Sequence, residues 1–238
     1  MKTQVITALL AATAATLTFG AIAPSASASG LVPQQEGEID VGLGCLDASA
    51  CITLDPIFQS ITSLTDSTTD SPSRLFVDNF DTSNTYGDGL IKFGTKDAGT
   101  THDGFWFRPS EATETEENGQ LEVGTFEFTF SKVLSDLTID FFDTESRNST
   151  GVLKINGVDL ASPDFVAKGS NSNIVSQTFT DVSSLVLKLG KDKDSGTGDG
   201  VNFQLSTSDS VDVPEPASLL GLMAVGAFGA ATKLRKKS

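Results

Sequence analysis

Histidine and tryptophan occur once each in this chain, at His102 and Trp106, and cysteine and methionine twice each. One histidine excludes a metal centre built from several imidazoles, and two thiols are too few for a zinc site made of cysteines. No Gly-x-Ser-x-Gly elbow and no Gly-x-Gly-x-x-Gly phosphate loop is present. His102 stands in Thr101-His102-Asp103, and a lone loop histidine is more often a surface or hydrogen-bonding residue than a general base. Carboxylates are so abundant that their pairing carries no information about acid and base roles. The sequence therefore points away from an enzyme. Basic residues are also scarce, 16 Lys and Arg against 31 Asp and Glu, for a net charge of −15.

Five of the 16 basic residues sit at the two ends. Lys2 precedes an uncharged run from Val5 to Ala23, followed by Pro24 and the small residues Ser25-Ala26-Ser27-Ala28. That order is a secretory signal peptide, residues 1–28, forming a signal helix and cut by signal peptidase after Ala28. A retained membrane helix is the alternative, and Pro24 with the Ala-x-Ala step argues against it. At the far end Val213-Pro214-Glu215-Pro216 precedes the uncharged run Ala217 to Thr232, and Lys233, Arg235, Lys236 and Lys237 follow. A helix over that run rises about 24 Å, slightly short of a ~30 Å hydrocarbon core. The basic tail keeps the cytoplasmic side and leaves the body outside. Residues 213–238 are thus expected to be a membrane anchor with a short transmembrane helix.

Between these ends, residues 29–212 hold 30 acidic and 11 basic residues, a net charge of −19. Such a field repels nucleic acid and anionic lipid and attracts cations, although solubility alone is a common reason for it. Cys45 and Cys51 both fall in the exported part, where an even pair forms a disulfide. Closing so short a loop contributes about 2 kcal/mol.

Residues 29–73 read as an irregular lead-in around the Cys45–Cys51 loop, with a short helix near Ile57–Leu64. From Arg74 the period is two. Phe126, Phe128 and Phe130 alternate with Glu127, Thr129 and Ser131, as a half-buried strand requires. Leu121 and Val123 have the opposite parity, which predicts a β-bulge at Gly124. Leu137, Ile139 and Phe141 alternate next. Asn156-Gly157 between Val152–Ile155 and Val158–Leu160 is a two-residue hairpin signal. Ile174–Phe179, then Leu185, Leu187 and Leu189, then Val201, Phe203 and Leu205 complete the set. Eight to ten short strands predict an all-β domain over 74–212, an antiparallel β-sandwich of jelly-roll type.

Two places are candidates for binding. Asp192, Asp194 and Asp199 lie on the glycine-rich stretch 192–200, where carboxylates and a pliable backbone suit calcium. An ordinary polar turn is the alternative. Asp78, Asp81 and Asp88 are candidates to add ligands if the first and last strands run together. Trp106, between Phe105 and Phe107, falls on the opposite face from both and, if exposed, would be a platform for a sugar ring. The alternative is that it caps a core edge. Asn148-Ser149-Thr150 matches a glycan acceptor sequon, which carries little weight in a bacterial export context.

Val213-Pro214-Glu215-Pro216, the apolar span and the Lys/Arg tail together resemble the PEP-CTERM sorting signal. The resemblance implies recognition by an exosortase, which cuts near the Pro-Glu-Pro and releases or re-anchors the protein. It also implies a bacterium with an outer membrane that makes exopolysaccharide. Leu121-Glu122-Val123-Gly124 followed by Thr125-Phe126-Glu127-Phe128 is similar to the signature of the LEVG subgroup of such proteins, found mostly in cyanobacteria. The function expected is that of an exported surface or matrix protein, in transit through the inner membrane, whose non-catalytic sandwich binds carbohydrate and calcium. The rival is a self-assembling coat or adhesion protein without a glycan site. An exposed Trp106 favours the first, a buried one the second.

Overall fold

The computed structural model describes residues 28–79, 81–94, 104–111, 123–144, 146–167, 169–170, 173–191 and 201–209. Within them lie thirteen strands and one 3-10 turn, Ala48–Ala50. The strands are β1 (Ser29–Gly30), β2 (Gly37–Ile39), β3 (Cys51–Ile52), β4 (Phe58–Leu64), β5 (Ser73–Asn79), β6 (Asn84–Tyr86), β7 (Ile91–Phe93), β8 (Phe105–Glu111), β9 (Gly124–Phe142), β10 (Gly151–Ile155), β11 (Val158–Phe165), β12 (Ile174–Leu189) and β13 (Asn202–Thr207). The signal helix (1–28, of which only Ala28 is described) and the anchor (213–238) fall outside the described residues. Among the described residues no helix is long and apolar enough to cross a membrane.

Eleven strands form one sheet in the order β11-β10-β12-β9-β13-β8-β5-β2-β3, with β1 on β13 and β4 on β9. All pairings are antiparallel except β2 with β3. Instead of the two separate sheets of a jelly roll, β9 and β12 run through both layers. The first half of β9 pairs with β4, the second half with β13, and β12 follows it throughout. The expected separate strands 126–131 and 137–142 are therefore one strand, as are 174–179 and 185–189. Both bend near the middle, where the β12 register shifts between Val182 and Ser184. The inward parity of β9 reverses there, from Phe126, Phe128, Phe130 and Leu134 to Leu137, Ile139 and Phe141. The bend brings the two layers face to face. Phe128 of one layer lies 6.1 Å from Phe107 and 5.9 Å from Phe203 of the other, ring centre to ring centre. Such edge-to-face contacts suit rings packed across two layers.

Three local expectations change. Residues 29–73 are not a lead-in; they supply β1–β4. Residues 58–64 form β4 rather than a helix, with Ile57, Phe58 and Ile61 buried in the core. Gly124 is not a bulge; it starts β9 in register with Leu189. A Cβ there would sit 2.9 Å from the Cβ of Ser73 and collide with the Phe126 ring, so glycine is needed for close packing. The Asn156-Gly157 hairpin is as expected: Ile155 pairs with Val158, and both turn residues have positive φ, 52° and 76°. That is the geometry of a type I′ turn.

Candidate functional site

Trp106 does not offer a platform. It is 1% exposed and packs against Phe142, on the face of β8 opposite Phe107. Its register partner on β5 is Asp78, which binds Arg108 through a 2.9 Å ion pair with both side chains buried. Asp78 is therefore committed to Arg108 rather than free to ligate calcium. The hairpin of β6 and β7 lies over this region as a second, two-stranded sheet. Tyr86 and Phe93 from the hairpin meet Phe76 of β5 at 4.7 and 5.0 Å, and the Arg108 guanidinium sits 4.1 Å from the Phe93 ring centre. Burial pushes the Asp78 carboxyl above its ordinary value, against the pull of the Arg108 charge. The same environment, with the Asp78 and Glu36 charges added, raises the Tyr86 phenol.

The disulfide between Cys45 and Cys51 is present, and its loop fastens this cover. Asp47 accepts a hydrogen bond from the Gly87 N–H at 2.8 Å, at the turn of the hairpin. Leu46 N–H donates to Glu38, which also pairs with Arg74 of β5, and Arg74 donates to the Gly44 carbonyl at 2.9 Å. Burial raises the Glu38 carboxyl, while Leu46 and Arg74 pull it down.

A second buried centre had no signal in the sequence beyond one lysine in an apolar run. Lys188 of β12 binds Asp66 at 2.9 Å, with Asp66 wholly buried. Thr125 Oγ1 donates to the same carboxylate at 2.6 Å, and the Thr68 N–H and hydroxyl donate at 2.7 and 2.6 Å. Burial alone would raise this carboxyl, but the Thr125, Thr68 and Lys188 hydrogen bonds together hold it below the ordinary value. This clamp ties the 65–72 loop to the sheet.

Polar side chains form rows across the middle strands of the sheet. Ser176, Asp140 and Gln204 form one row across β12, β9 and β13, and Thr178, Thr138 and Ser206 the next. Thr138 and Thr178 hydroxyls are 2.9 Å apart, and the Ser176 hydroxyl donates to Asp140. Where the partner along one edge of β13 changes from β8 to β1, a cleft of about 210 Å³ is lined by Gln34, Phe105, Asp140, Gln204 and Ser206 among others. The Gln204 amide donates to the Phe105 carbonyl at 2.7 Å, fixing one wall. This surface offers hydroxyl, amide and carboxylate groups.

Of the remaining candidates, Asp192, Asp194, Asp199, His102 and Val213, Pro214, Glu215 and Pro216 lie outside the described residues. Among the described residues no group of three or more His, Cys, Asp or Glu side chains is arranged to hold a metal ion. In the sequon, Asn148 is exposed, but Ser149 and Thr150 are buried and the Thr150 hydroxyl accepts the Gly190 N–H at 2.9 Å.

Residues 212–237 match the PEP-CTERM protein-sorting motif. The chain carries a PEP-CTERM sorting signal. The motif implies an exosortase as processing partner, and export with passage through the membrane on the way to the surface. No curated protein and no solved structure matches the chain.

Proposed function

We propose that the chain is an exported, exosortase-processed surface or matrix protein whose sandwich is a non-catalytic contact module. The sorting motif at 212–237 carries this reading. The similarity to the LEVG subgroup, its cyanobacterial setting and its association with exopolysaccharide belong to the same proposal, as does release by signal peptidase at the N-terminus. Pro214 and Pro216 restrict the backbone to extended conformations beside the bilayer, where a protease can engage it. The ligands proposed are extracellular carbohydrate, at a place other than Trp106, and calcium at Asp192, Asp194 and Asp199.

Burial of Trp106 favours the rival, a self-assembling coat. The sheet edges speak against the simplest way of building one. On edge strand β11 the residues Leu160 to Pro163 bulge out opposite Leu153, between the pairs Asp159–Lys154 and Asp164–Val152. A bulge, a proline and acidic residues on an edge prevent strand addition. At the other end β3 is two residues long and tied by the disulfide. Assembly through these edges is blocked, so a contact module for a foreign ligand is the better reading.

The test is export in a host that has an exosortase. Cell fractionation and intact mass should show wild type cut near Pro214-Glu215-Pro216, and the triple replacement of those residues by alanine retained uncut in the membrane. Equal processing of both would overturn the proposal.

A further inference from the structure

We infer that the pocket beside Arg147 binds a carboxylate-bearing sugar, such as one residue of a uronic-acid oligosaccharide; this rests on the contact-module reading and names its ligand class. The pocket has a volume of about 510 Å³ and is lined by Arg147, Asn148, Phe165, Val166, Ala167 and Gly169. That volume lies within the range of small-ligand sites.

Four cations of this acidic body are held in ion pairs. Arg74 is held by Glu38, Arg108 by Asp78, Lys188 by Asp66 and Lys154 by Asp159. Arg147 is exposed and makes no ion pair with a described carboxylate. A guanidinium presents two parallel N–H groups that fit a carboxylate in bidentate fashion. Beside it, Phe165 supplies an aromatic surface for the C–H face of a ring, and the Asn148 amide supplies both a donor and an acceptor for a hydroxyl. A bare inorganic anion would leave Phe165 and Val166 unused.

The frame around these groups is built firmly. Val166 N–H donates to the Thr150 carbonyl and Gly169 N–H to the Thr144 carbonyl, at 2.9 and 2.8 Å. Thr144 and Asn173 exchange two further bonds, Thr144 Oγ1 to the Asn173 side-chain oxygen Oδ1 at 2.7 Å and the Asn173 side-chain amide Nδ2 to the Thr144 carbonyl at 3.0 Å. Gly169 is required, because any Cβ there would collide with the Asn173 side chain. Asn148 holds a positive φ of 57°, which asparagine tolerates better than most residues. The net −19 of the body repels an anion at long range, but at physiological ionic strength that field is screened beyond about 8 Å. The local guanidinium then decides.

The full chain in detergent would be titrated calorimetrically with tetragalacturonate, with a neutral glucose tetramer and with sodium sulfate, for wild type, Arg147→Gln and Arg147→Lys. Wild type should bind the uronate oligomer, and Arg147→Gln should lose roughly ten- to hundredfold in affinity, the worth of a charged hydrogen-bonded contact. Arg147→Lys keeps the charge without the fork and should fall between. Unchanged thermal midpoints would show that both variants fold, as expected for an exposed side chain. No binding by wild type at millimolar ligand, equal binding by Arg147→Gln, or equal binding of the neutral tetramer would overturn the inference. Full competition by equimolar sulfate would do so too, by showing an anion site without sugar selectivity. Sorting of Arg147→Gln should be normal, so a failure here leaves the processing test standing and separable.

Discussion

Asp66–Lys188 and Asp78–Arg108 close at the same 2.9 Å and are both buried, yet they push their carboxylates in opposite directions. The Asp66 carboxyl lies below its ordinary value and the Asp78 carboxyl above it. Distance to the cation does not distinguish them; the balance between burial, which raises both, and the remaining hydrogen bonds does. Both oxygens of Asp66 are served, Oδ1 by the Thr68 N–H and hydroxyl and Oδ2 by Thr125 and Lys188. On Asp78, Oδ2 meets Arg108 while the buried Oδ1 has no hydrogen-bond partner. A buried ion pair offsets its desolvation only when its other lone pairs are also satisfied. Asp66 meets that condition, and Asp78 falls short of it.

The largest expected effect follows from removing the satisfied carboxylate. Asp66→Ala strands Lys188 and the buried Thr125 hydroxyl in the interior and should lower unfolding free energy by about 3–5 kcal/mol, the usual cost of breaking a buried pair from one side. Urea denaturation followed by fluorescence of Trp106 would measure it. A loss under about 1 kcal/mol would mean that the clamp is only decorative.

Replacing both partners sharpens the contrast. Asp78→Leu with Arg108→Met removes an under-satisfied pair from an aromatic setting and should leave stability unchanged or slightly higher, as apolar replacements of buried pairs often do. Asp66→Leu with Lys188→Met still deprives the buried Thr125 hydroxyl of its acceptor and should cost about 1–3 kcal/mol. If the two double variants behave alike, the hydrogen-bond account of the difference is wrong.

The comparison also shows which parts of the molecule could be read beforehand. Phe126, Phe128 and Phe130, the Asn156-Gly157 turn and the Cys45–Cys51 bridge declare themselves because each is settled by neighbours a few positions away. Strand β4 misleads because Ile57, Phe58, Ile61 and Leu64 repeat at helical spacing. Its register on β9 shifts between Phe58 and Ser60, and that irregularity places Phe58 and Ile61 on the core side despite the odd spacing. Trp106 could be assigned to the face opposite Phe105 and Phe107, but its burial depends on Phe142, which the fold brings over from β9. Asp66 and Lys188 stand 122 positions apart, so no local pattern joins them. The Arg147 pocket was equally silent, since its walls come from the loops after β9 and β11. Only the sequon drew notice to Asn148, and for a different chemistry.

The smallest effect is also the one that separates the two carboxylates most directly, because it depends on sign rather than size. Asp66 has a lowered folded pKa, so its contribution is complete above the unfolded value near 4 and is lost as pH falls through the folded one. Asp78 and Glu38 have raised folded pKa values. Their neutral forms are favoured by the fold, so that contribution is present in acid and lost as pH rises through the folded values. Asparagine mimics the protonated state at each site. Across an acid series of thermal midpoints, the advantage of wild type over Asp66→Asn should therefore grow as pH rises, and its advantage over Asp78→Asn should shrink. Parallel slopes for the two variants would show that the unpartnered oxygen of Asp78 is not what sets its behaviour. Opposite slopes would mean that two pairs of equal length do different jobs: one locks the 65–72 loop onto β9 and β12, and the other is tolerated beneath the β6–β7 hairpin.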